Sequence, residues 1–203
     1  MSMNALVSIS AGVGVVLLLG FVAAVIYNRL VGLKTSCENA FSQIEVQLKR
    51  RYDLIPNLVQ CVKQYMVHEK ETLERVIAAR NQAATGLAQA AQQPGNAEAM
   101  QKWMGAEGTL AGALGKLSVA IESYPDLKAD ARVADLTEQL TSTENRIAFA
   151  RQAYNDWVSG FNNYRQAFPV CVLAGSLGFA QNRSFVEIAN REKLEEAPQV
   201  VLA

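Results

Sequence analysis

Residues 5–26 read ALVSISAGVGVVLLLGFVAAVI, an apolar run without a charged side chain. At 1.5 Å per residue a helix of this length spans ~33 Å, which is enough to cross the hydrocarbon core of a bilayer. A cleaved signal peptide would need a basic n-region and a shorter apolar core, whereas residues 1–5 are uncharged here. We therefore predict a retained anchor over residues 1–28, rather than a removed signal peptide or a buried soluble helix. Its candidate anchor residues are Ala5, Leu17, Leu18, Phe21 and Ile26.

Basic side chains follow the apolar run and predict its orientation. The first charged residues after the run are Arg29 and Lys34, and further basic residues stand at 49–51. Positive charge accumulates on the cytoplasmic side of membrane helices. We therefore predict that the N-terminus lies outside and that the domain after the anchor lies in the cytoplasm, with Tyr27 at the membrane interface.

The composition limits what the rest of the chain can be. About 175 residues follow the anchor, which suffices for one domain with its own core but not for two of ordinary size. The 19 basic and 19 acidic residues balance, so no global field favours nucleic acid as a partner. Cys37, Cys61 and Cys171 form no CxxC pair. We expect reduced cysteines in a cytoplasmic domain rather than a disulfide framework or a metal site.

The segment after the anchor places apolar residues at steps of three and four, which predicts an amphipathic helix continuing from the membrane. Pro56 lacks an N–H and crowds the carbonyl of Tyr52, so we predict a kink or a tight break over residues 51–56. Asp53 is a possible cap for a new helix there, and the pattern then predicts helix to about Gln92. The first seam consists of Leu30, Leu33, Cys37, Phe41, Ile44, Leu48 and Tyr52.

Two further long helices are predicted. Residues 92–96 contain Pro94 and Gly95 and form the clearest turn, after which a third helix extends to about Tyr124. Pro125 ends that helix, and Asp126 is the predicted cap of a last long helix that ends at Phe168. The seam of the last helix is Val133, Leu136, Leu140, Thr143, Ile147, Ala150, Tyr154, Trp157, Phe161, Tyr164 and Phe168.

Glycine is unusually frequent in the third helix, at Gly105, Gly108, Gly112 and Gly115. Each costs about 1 kcal/mol relative to alanine in a helix, which is explained by the close approach of another helix or by a loosely formed one. Helices of unequal length are also expected to leave part of an apolar stripe uncovered, which favours side-by-side self-association. The candidate interface is Gly108, Gly112, Trp157, Phe161, Phe168, Leu177 and Phe179.

The last part of the chain has an apolar and a polar section. Residues 170–185 are apolar but too short to span a membrane, so they either fold back on the helices or contact the bilayer or a partner. Residues 195–203 are expected to form a mobile tail. The predicted divisions are therefore the anchor at 1–28, a helical domain at 29–168, and the apolar segment with its tail at 169–203.

Motifs for catalysis are missing from the sequence. It contains no GxGxxG, P-loop or nucleophile elbow, and its single histidine, His68, forms neither a Glu-x-x-His pair nor a zinc-protease motif. Charged residues nevertheless stand at or beside the apolar seams. They form either a ligand or proton site or, as we favour, interhelical ion pairs that fix the register of the helices. These residues are Arg51, Glu69, Arg80, Glu107, Glu144 and Arg151.

Several motifs together resemble the LemA family and cover nearly the whole chain from Tyr27 to Phe185. The most specific is the uninterrupted stretch QIEVQLKRRYDLIPNLV at residues 43–59. The others are Tyr27-Asn28-x-Leu30-Val31, His68-Glu69, Ala79-Arg80, the ESYPDL sequence at 122–127, residues 144–155 with Ala150-Arg151, Phe168-Pro169 and Gly178-Phe179. Cys171 and the glycines between 105 and 115 are less typical of the family.

The resemblance implies an antiparallel, bromodomain-like four-helix bundle on one N-terminal membrane helix in bacteria, at the inner membrane. It does not imply an enzyme or a cofactor. The family includes relatives that are associated with the formation of magnetosome membranes. Our leading hypothesis is a self-associating membrane scaffold whose partners are the lipid bilayer and copies of itself. The alternatives are an adaptor for a membrane enzyme, such as a metalloprotease or a TPM-domain protein, and a sensor or hydrolase that uses the seam charges.

Overall fold

The computed structural model describes residues 3–186, and over that range the chain forms helices joined by short turns, with no strand. The predicted all-helical class is therefore confirmed. The helices are α1 (Met3–Val62), α2 (Lys70–Gln92), α3 (Ala97–Glu122), α4 (Pro125–Ala129), α5 (Ala131–Gln166) and α6 (Val170–Leu173), with a 3₁₀ turn at Val67–Glu69.

The chain divides into two compact units, which we name by their content. The anchor unit contains the chain up to residue 39 together with residues 156–183, and the core unit contains residues 40–155 and the chain from 184 onward. Helices α1 and α5 contribute residues to both units. The predicted divisions after residues 28 and 168 are not tested by this grouping and stay predictions.

The first part of α1 has the length and composition of a membrane-crossing helix, and it is the one such helix in the part of the chain that is described. From residue 12 to residue 21 every side chain is exposed, including Leu17, Leu18 and Phe21. Apolar side chains exposed on all sides of a helix suit contact with lipid rather than water. The side chain of Ala5 lies outside the described part.

The remainder of α1 is covered along its seam. Leu30, Leu33 and Cys37 are buried in the anchor unit, and the seam continues buried through the core unit to Tyr52. The expectation that part of this long apolar stripe lacks cover within the chain is therefore wrong for α1. The chain covers its own first seam.

Helix α1 continues through Pro56, so the tight break predicted at residues 51–56 is wrong, and Asp53 caps no new helix. Proline leaves the carbonyl four residues earlier without its helical donor. Here Arg80 Nε donates to that carbonyl, the main-chain oxygen of Tyr52, at 2.9 Å. A side chain from α2 thus replaces the missing bond and lets the helix continue, while a bend at Pro56 stays a prediction.

The chain reverses later than the sequence predicts, at residues 63–69. The backbone N–H groups of Tyr65 and Met66 both donate to the carbonyl of Val62, at 3.1 and 3.0 Å, which closes the end of α1. Met66 leaves the helical region with φ −101° and ψ 52°, and its side chain is buried. The predicted continuous helix from Leu54 to Gln92 is therefore wrong. No glycine or proline marks this turn in the sequence, and the turn is fixed instead by the burial of Met66.

Polar side chains cap the next two long helices. The side-chain oxygen of Asn96 accepts a hydrogen bond from the Ala99 N–H at 3.1 Å and starts α3. Asp130 Oδ1 accepts from the Arg132 N–H at 2.8 Å at the start of α5. The predicted cap, Asp126, is wrong because Pro125 begins the separate short helix α4, and the extended backbone needed before α5 occurs at Asp130.

The chain after α6 folds back, which confirms one of the two alternatives for this segment. In the anchor unit the amide of Asn162 donates to the Arg183 carbonyl at 3.0 Å and accepts from the Arg183 N–H at 2.8 Å. In the core unit Asn155 makes the same pair of bonds with Val186, at 3.0 and 2.9 Å. Two asparagines of α5 therefore hold the returning backbone. The predicted tail at 195–203 lies outside the described residues.

Candidate functional site

Buried charges of α1, α3 and α5 meet in the core unit. Arg51 of α1 donates through Nη2 to Glu107 Oε2 of α3, and both side chains are buried. Arg51 Nη1 donates to Glu144 Oε2 of α5 at 2.7 Å, and the Glu144 side chain is 53% exposed. Arg151 of α5 brings Nη2 to 3.7 Å from Glu107 Oε2. We call Arg51, Glu107, Glu144 and Arg151, together with Tyr52, the charged cluster.

Tyr52 belongs to the charged cluster although its place in the apolar seam predicts only packing. Its hydroxyl donates to Glu107 Oε1, so both carboxylate oxygens of Glu107 accept a bond. Burial, and then the nearby negative charge of Glu107, raise the pKa of Tyr52 above its ordinary value. The sequence signal for this role was the adjacency of a seam tyrosine to Arg51.

The two guanidinium groups respond differently to the same surroundings. Burial disfavours the charged form of Arg51, but the carboxylates of Glu107 and Glu144 outweigh burial and raise its pKa. Burial lowers the pKa of Arg151, and the same carboxylates only partly oppose it. Arg51 is therefore the arginine that the two carboxylates hold directly.

Some buried donors in this region have no acceptor among the described residues. They are Nε of Arg51 and Nε of Arg151. An unsatisfied buried donor costs about 1–3 kcal/mol, so the charged cluster is not optimised for stability alone. Phe41 packs edge-on against Trp103 and Tyr154, at 5.8 and 5.7 Å between ring centroids, and gives this part of the core an aromatic wall.

The chemistry available to the charged cluster is limited. Two arginines and two glutamates balance in formal charge, and the buried carboxylate already accepts from Arg51 and Tyr52. No group of histidine, cysteine and carboxylate side chains suited to a metal ion occurs in residues 3–186. The geometry is that of a buried polar tie between three helices.

The structure brings together four of the six charged residues singled out in the sequence. Of the other two, Glu69 lies elsewhere, whereas Arg80 contacts Tyr52 of the charged cluster. Glu69 accepts a hydrogen bond from the Thr72 hydroxyl at 3.2 Å, beside the start of α2. Arg80 Nε donates to the Tyr52 carbonyl, and Arg80 Nη2 lies 3.6 Å from Asp53 Oδ1.

The glycines of α3 do not face a neighbouring helix of the same chain. A Cβ added to Gly105, Gly108, Gly112 or Gly115 would meet no described atom within 4 Å. The close approach occurs instead at Gly86 of α2, where an added Cβ would lie 3.2 Å from the Cα of Trp103. A close approach at these glycines is therefore not made within the chain, and Gly108 and Gly112 as an interface between copies stay a prediction.

The aromatic and apolar residues of the candidate interface also differ in burial. Phe161 is buried, whereas Trp157 is exposed and Val158 is buried in its place. A straight α-helix drifts by about 20° per heptad from a 3.5-residue repeat, which explains how a long seam loses phase. Phe168 is exposed, while Leu177 and Phe179 are half-buried, with Phe179 6.2 Å from Phe161 between ring centroids.

Comparison with known proteins gives consistent matches. The model of the LemA family matches residues 40–201. Two proteins of Paramagnetospirillum magneticum, Magnetosome protein MamQ 1 and MamQ 2, are each 25% identical over 192 residues, covering 86% of this chain and 71% of their own. Magnetosome protein MamQ of Magnetospirillum gryphiswaldense is 24% identical over 198 residues, covering 89% and 73% respectively. Neither the family nor these relatives are known enzymes.

Proposed function

The chain belongs to the LemA family, and on that premise we propose that it is a membrane-anchored helical scaffold that self-associates at the bacterial inner membrane and organises or remodels it. The apolar part of α1 and the similarity to Magnetosome proteins MamQ support membrane association. The proposal includes an antiparallel, bromodomain-like four-helix bundle, in which α2 packs along α3. It assigns no catalytic step.

The observation that carries the self-association is an uncovered face of α3. Gly105, Gly108, Gly112, Gly115 and Val119 follow one another at steps of three and four, so they lie on one side of the helix. The four glycine positions open into free space, and Val119 is 66% exposed. At the glycine positions this face leaves room for further atoms within the described residues.

The energetic cost of these glycines argues for a use outside the single chain. Each glycine in a helix costs about 1 kcal/mol relative to alanine, so the four together cost about 4 kcal/mol. A typical domain is stable by only about 5–15 kcal/mol. Because alanine would fit at all four positions without a clash, packing within the chain does not explain them. A helix of a second copy packed against this face would explain the glycines, because only glycine lets two backbones approach so closely.

The test substitutes Gly112 and follows folding and assembly separately, with the full chain in lipid nanodiscs or mild detergent. Gly112→Leu should keep the helical fold, because its side chain enters open space, but should reduce oligomers seen by native mass measurement and crosslinking. Gly112→Ala should raise the unfolding free energy by about 0.5–1 kcal/mol while weakening assembly less than leucine does.

Gly86→Ala is the matched control. Its Cβ would lie 3.2 Å from the Cα of Trp103, so displacement of that backbone offsets the gain in helix propensity, and Gly86→Ala should stabilise the fold less than Gly112→Ala does. A wild-type chain that is monomeric at all concentrations, with its anchor intact, would contradict the self-association. Unchanged oligomers in Gly112→Leu would exclude this face as the contact.

We keep the adaptor as a second candidate because the core unit has a strongly exposed aromatic side chain at Phe149. Phe149 of α5 is 72% exposed and lies outside the buried seam. Such a residue suits an anchor point for a membrane enzyme such as a metalloprotease or a TPM-domain protein. A monomeric chain whose Phe149→Asp variant loses a membrane-protein partner in crosslinking would favour this role over the scaffold.

The proposed orientation places the domain after the anchor in the cytoplasm. It rests on the positive flank that begins at Arg29 and Lys34, both exposed on α1. A reporter fused to the C-terminus should be active in a format that works only in the cytoplasm. Activity confined to a format that works outside the inner membrane would reverse the orientation.

A further inference from the structure

The turn between α5 and α6 carries an uncharged stretch with exposed apolar side chains. Residues 166–182 contain no charged residue and are flanked by Arg165 and Arg183. Phe168 is 84% exposed and Val172 is 70% exposed. We call residues 166–173 the apolar tip. Large apolar side chains clustered on a water-exposed turn usually mark a binding surface.

The anchor unit itself shows where the apolar tip lies. The ring of Phe179, a few residues beyond the tip, contacts the ring of Tyr27 at 6.0 Å between centroids and also contacts Phe161. Tyr27 directly follows the apolar run that forms the anchor. Tyrosine at the end of a membrane helix marks the level of the lipid headgroups. Phe161 and Phe179, which lie on either side of the tip in the sequence, are therefore packed at the end of the anchor.

Burial within the anchor confirms that protein covers its last turns. Ile26 is only 4% exposed, and Val22 and Ala23 are half-buried, whereas the side chains from residue 12 to residue 21 are exposed. A helix cannot bury its own outward side chains, so residues 156–183, the other part of this unit, supply the cover. That cover reaches back along the anchor by the length from Val22 to Ile26, which is ~6 Å.

This depth brings the apolar tip to the bilayer. The apolar run spans ~33 Å and the hydrocarbon core about 30 Å, so the covered turns at Val22–Ile26 cannot all stand clear of the membrane. Interfacial segments bury apolar side chains about 5–10 Å into the boundary between headgroups and acyl chains. We propose that Phe168 and Val172 insert there, so that the protein holds its membrane by the apolar tip as well as by its anchor.

A lipid surface fits the apolar tip better than a protein partner for two reasons. The residues on either side of the tip, Phe161 and Phe179, are packed at the end of the anchor, which lies at the membrane surface whenever the anchor is inserted. Arg165 precedes the uncharged stretch, and a basic residue beside such a segment is usual at the surface of anionic membranes. The inference rests on insertion of the anchor and is independent of self-association.

The exposed thiol of Cys171 lies in the apolar tip and allows a direct test with the full chain. Cys61 is replaced by serine, buried Cys37 is left in place, and Cys171 carries an environment-sensitive fluorophore in liposomes containing anionic lipid. We expect the label to emit at a shorter wavelength than the free fluorophore does in buffer. Lipids that carry a quencher on the acyl chain should quench the label, and iodide should quench it little. The matched control carries the label through Val67→Cys, a 70% exposed position of the core unit, with Cys171→Ser, and iodide should quench it.

Charge placed in the apolar tip gives the second arm. Phe168→Asp combined with Val172→Asp should abolish lipid quenching of the Cys171 label and preserve helicity, because both side chains are exposed. Phe149→Asp, an equally exposed position, should leave the quenching unchanged. Co-flotation with liposomes after a urea wash measures insertion of the anchor itself, so a failure of the anchor to insert is detected separately.

Two outcomes would overturn the proposal. Free access of iodide to the Cys171 label in floated protein would show that the tip lies in water. Protection from both iodide and lipid-borne quenchers, together with energy transfer between labelled copies, would show that a second copy covers the tip.

Discussion

Replacing Glu107 by glutamine removes the charge that holds the buried cluster together while keeping the size of the side chain. Arg51 would then keep only Glu144, which is bonded at 2.7 Å but is 53% exposed. Breaking a buried ion pair costs about 3–5 kcal/mol, and because Glu144 remains we expect the unfolding free energy to fall by about 2–4 kcal/mol. This is a large part of the roughly 5–15 kcal/mol that stabilises a domain.

Glu144→Gln is the matched control, since it removes the same charge from the same arginine at an exposed site. Because water screens the half-exposed carboxylate and Arg51 keeps Glu107, this variant should lose less stability than Glu107→Gln, about 1–2 kcal/mol. Both are measured by urea unfolding followed by far-ultraviolet circular dichroism, in the same detergent. Equal losses in the two variants, within about 0.5 kcal/mol, would refute the argument that burial decides the strength of these pairs.

A combined apolar replacement separates structural from functional roles of the charged cluster. Exchanging Arg51 and Arg151 for methionine, Tyr52 for phenylalanine and Glu107 for leucine removes every buried partner at once. Such replacements are often neutral or stabilising, so we expect a stability within about 1 kcal/mol of the wild type or above it. If membrane organisation also survives, the cluster serves only to align helices. Loss of that activity in a stable variant would point to a ligand or proton site.

Three further changes test other parts of the structure. Arg80→Met should cost about 1–3 kcal/mol by leaving a carbonyl unsatisfied, and much less in a Pro56→Ala background, where that carbonyl regains its helical donor; urea unfolding of the four-member cycle measures this. Asp130→Ala should lower the melting temperature more than Asp126→Ala, because only Asp130 caps α5. The raised pKa of Tyr52 means that the unfolded state loses its proton first, so stability should fall above about pH 10, and less so in Tyr52→Phe.

Much of the helical content could be predicted because periodicity is a local property. The buried seam from Leu30 to Tyr52 and the turn before α3 follow directly from apolar spacing and from Pro94 with Gly95. Two of the errors in helix boundaries had tertiary causes. Pro56 does not end α1 because Arg80, 24 residues away, replaces the lost bond, and the reversal after Val62 depends on burial of Met66.

The charged cluster could be predicted in part for a related reason. A charged residue at a seam position must find a partner, which correctly singled out Arg51, Glu107, Glu144 and Arg151 as residues to examine. Which of them meet depends on how three helices align, and spacing within one helix holds no information about that. Tyr52 was missed because tyrosine satisfies an apolar pattern with its ring while its hydroxyl is free to bond elsewhere.

Tyr52 links the two unusual features of the core unit. Its carbonyl, left free by Pro56, accepts from Arg80 of α2, and its hydroxyl donates to Glu107 of α3. One residue of α1 is therefore held through its main chain by one helix and through its side chain by another. If Pro56 were alanine, the carbonyl would no longer need Arg80, and the tie to α2 would lose its main hydrogen bond. The proline thus creates the acceptor by which α2 fixes the register of α1, and the same register presents Arg51 and Tyr52 to Glu107.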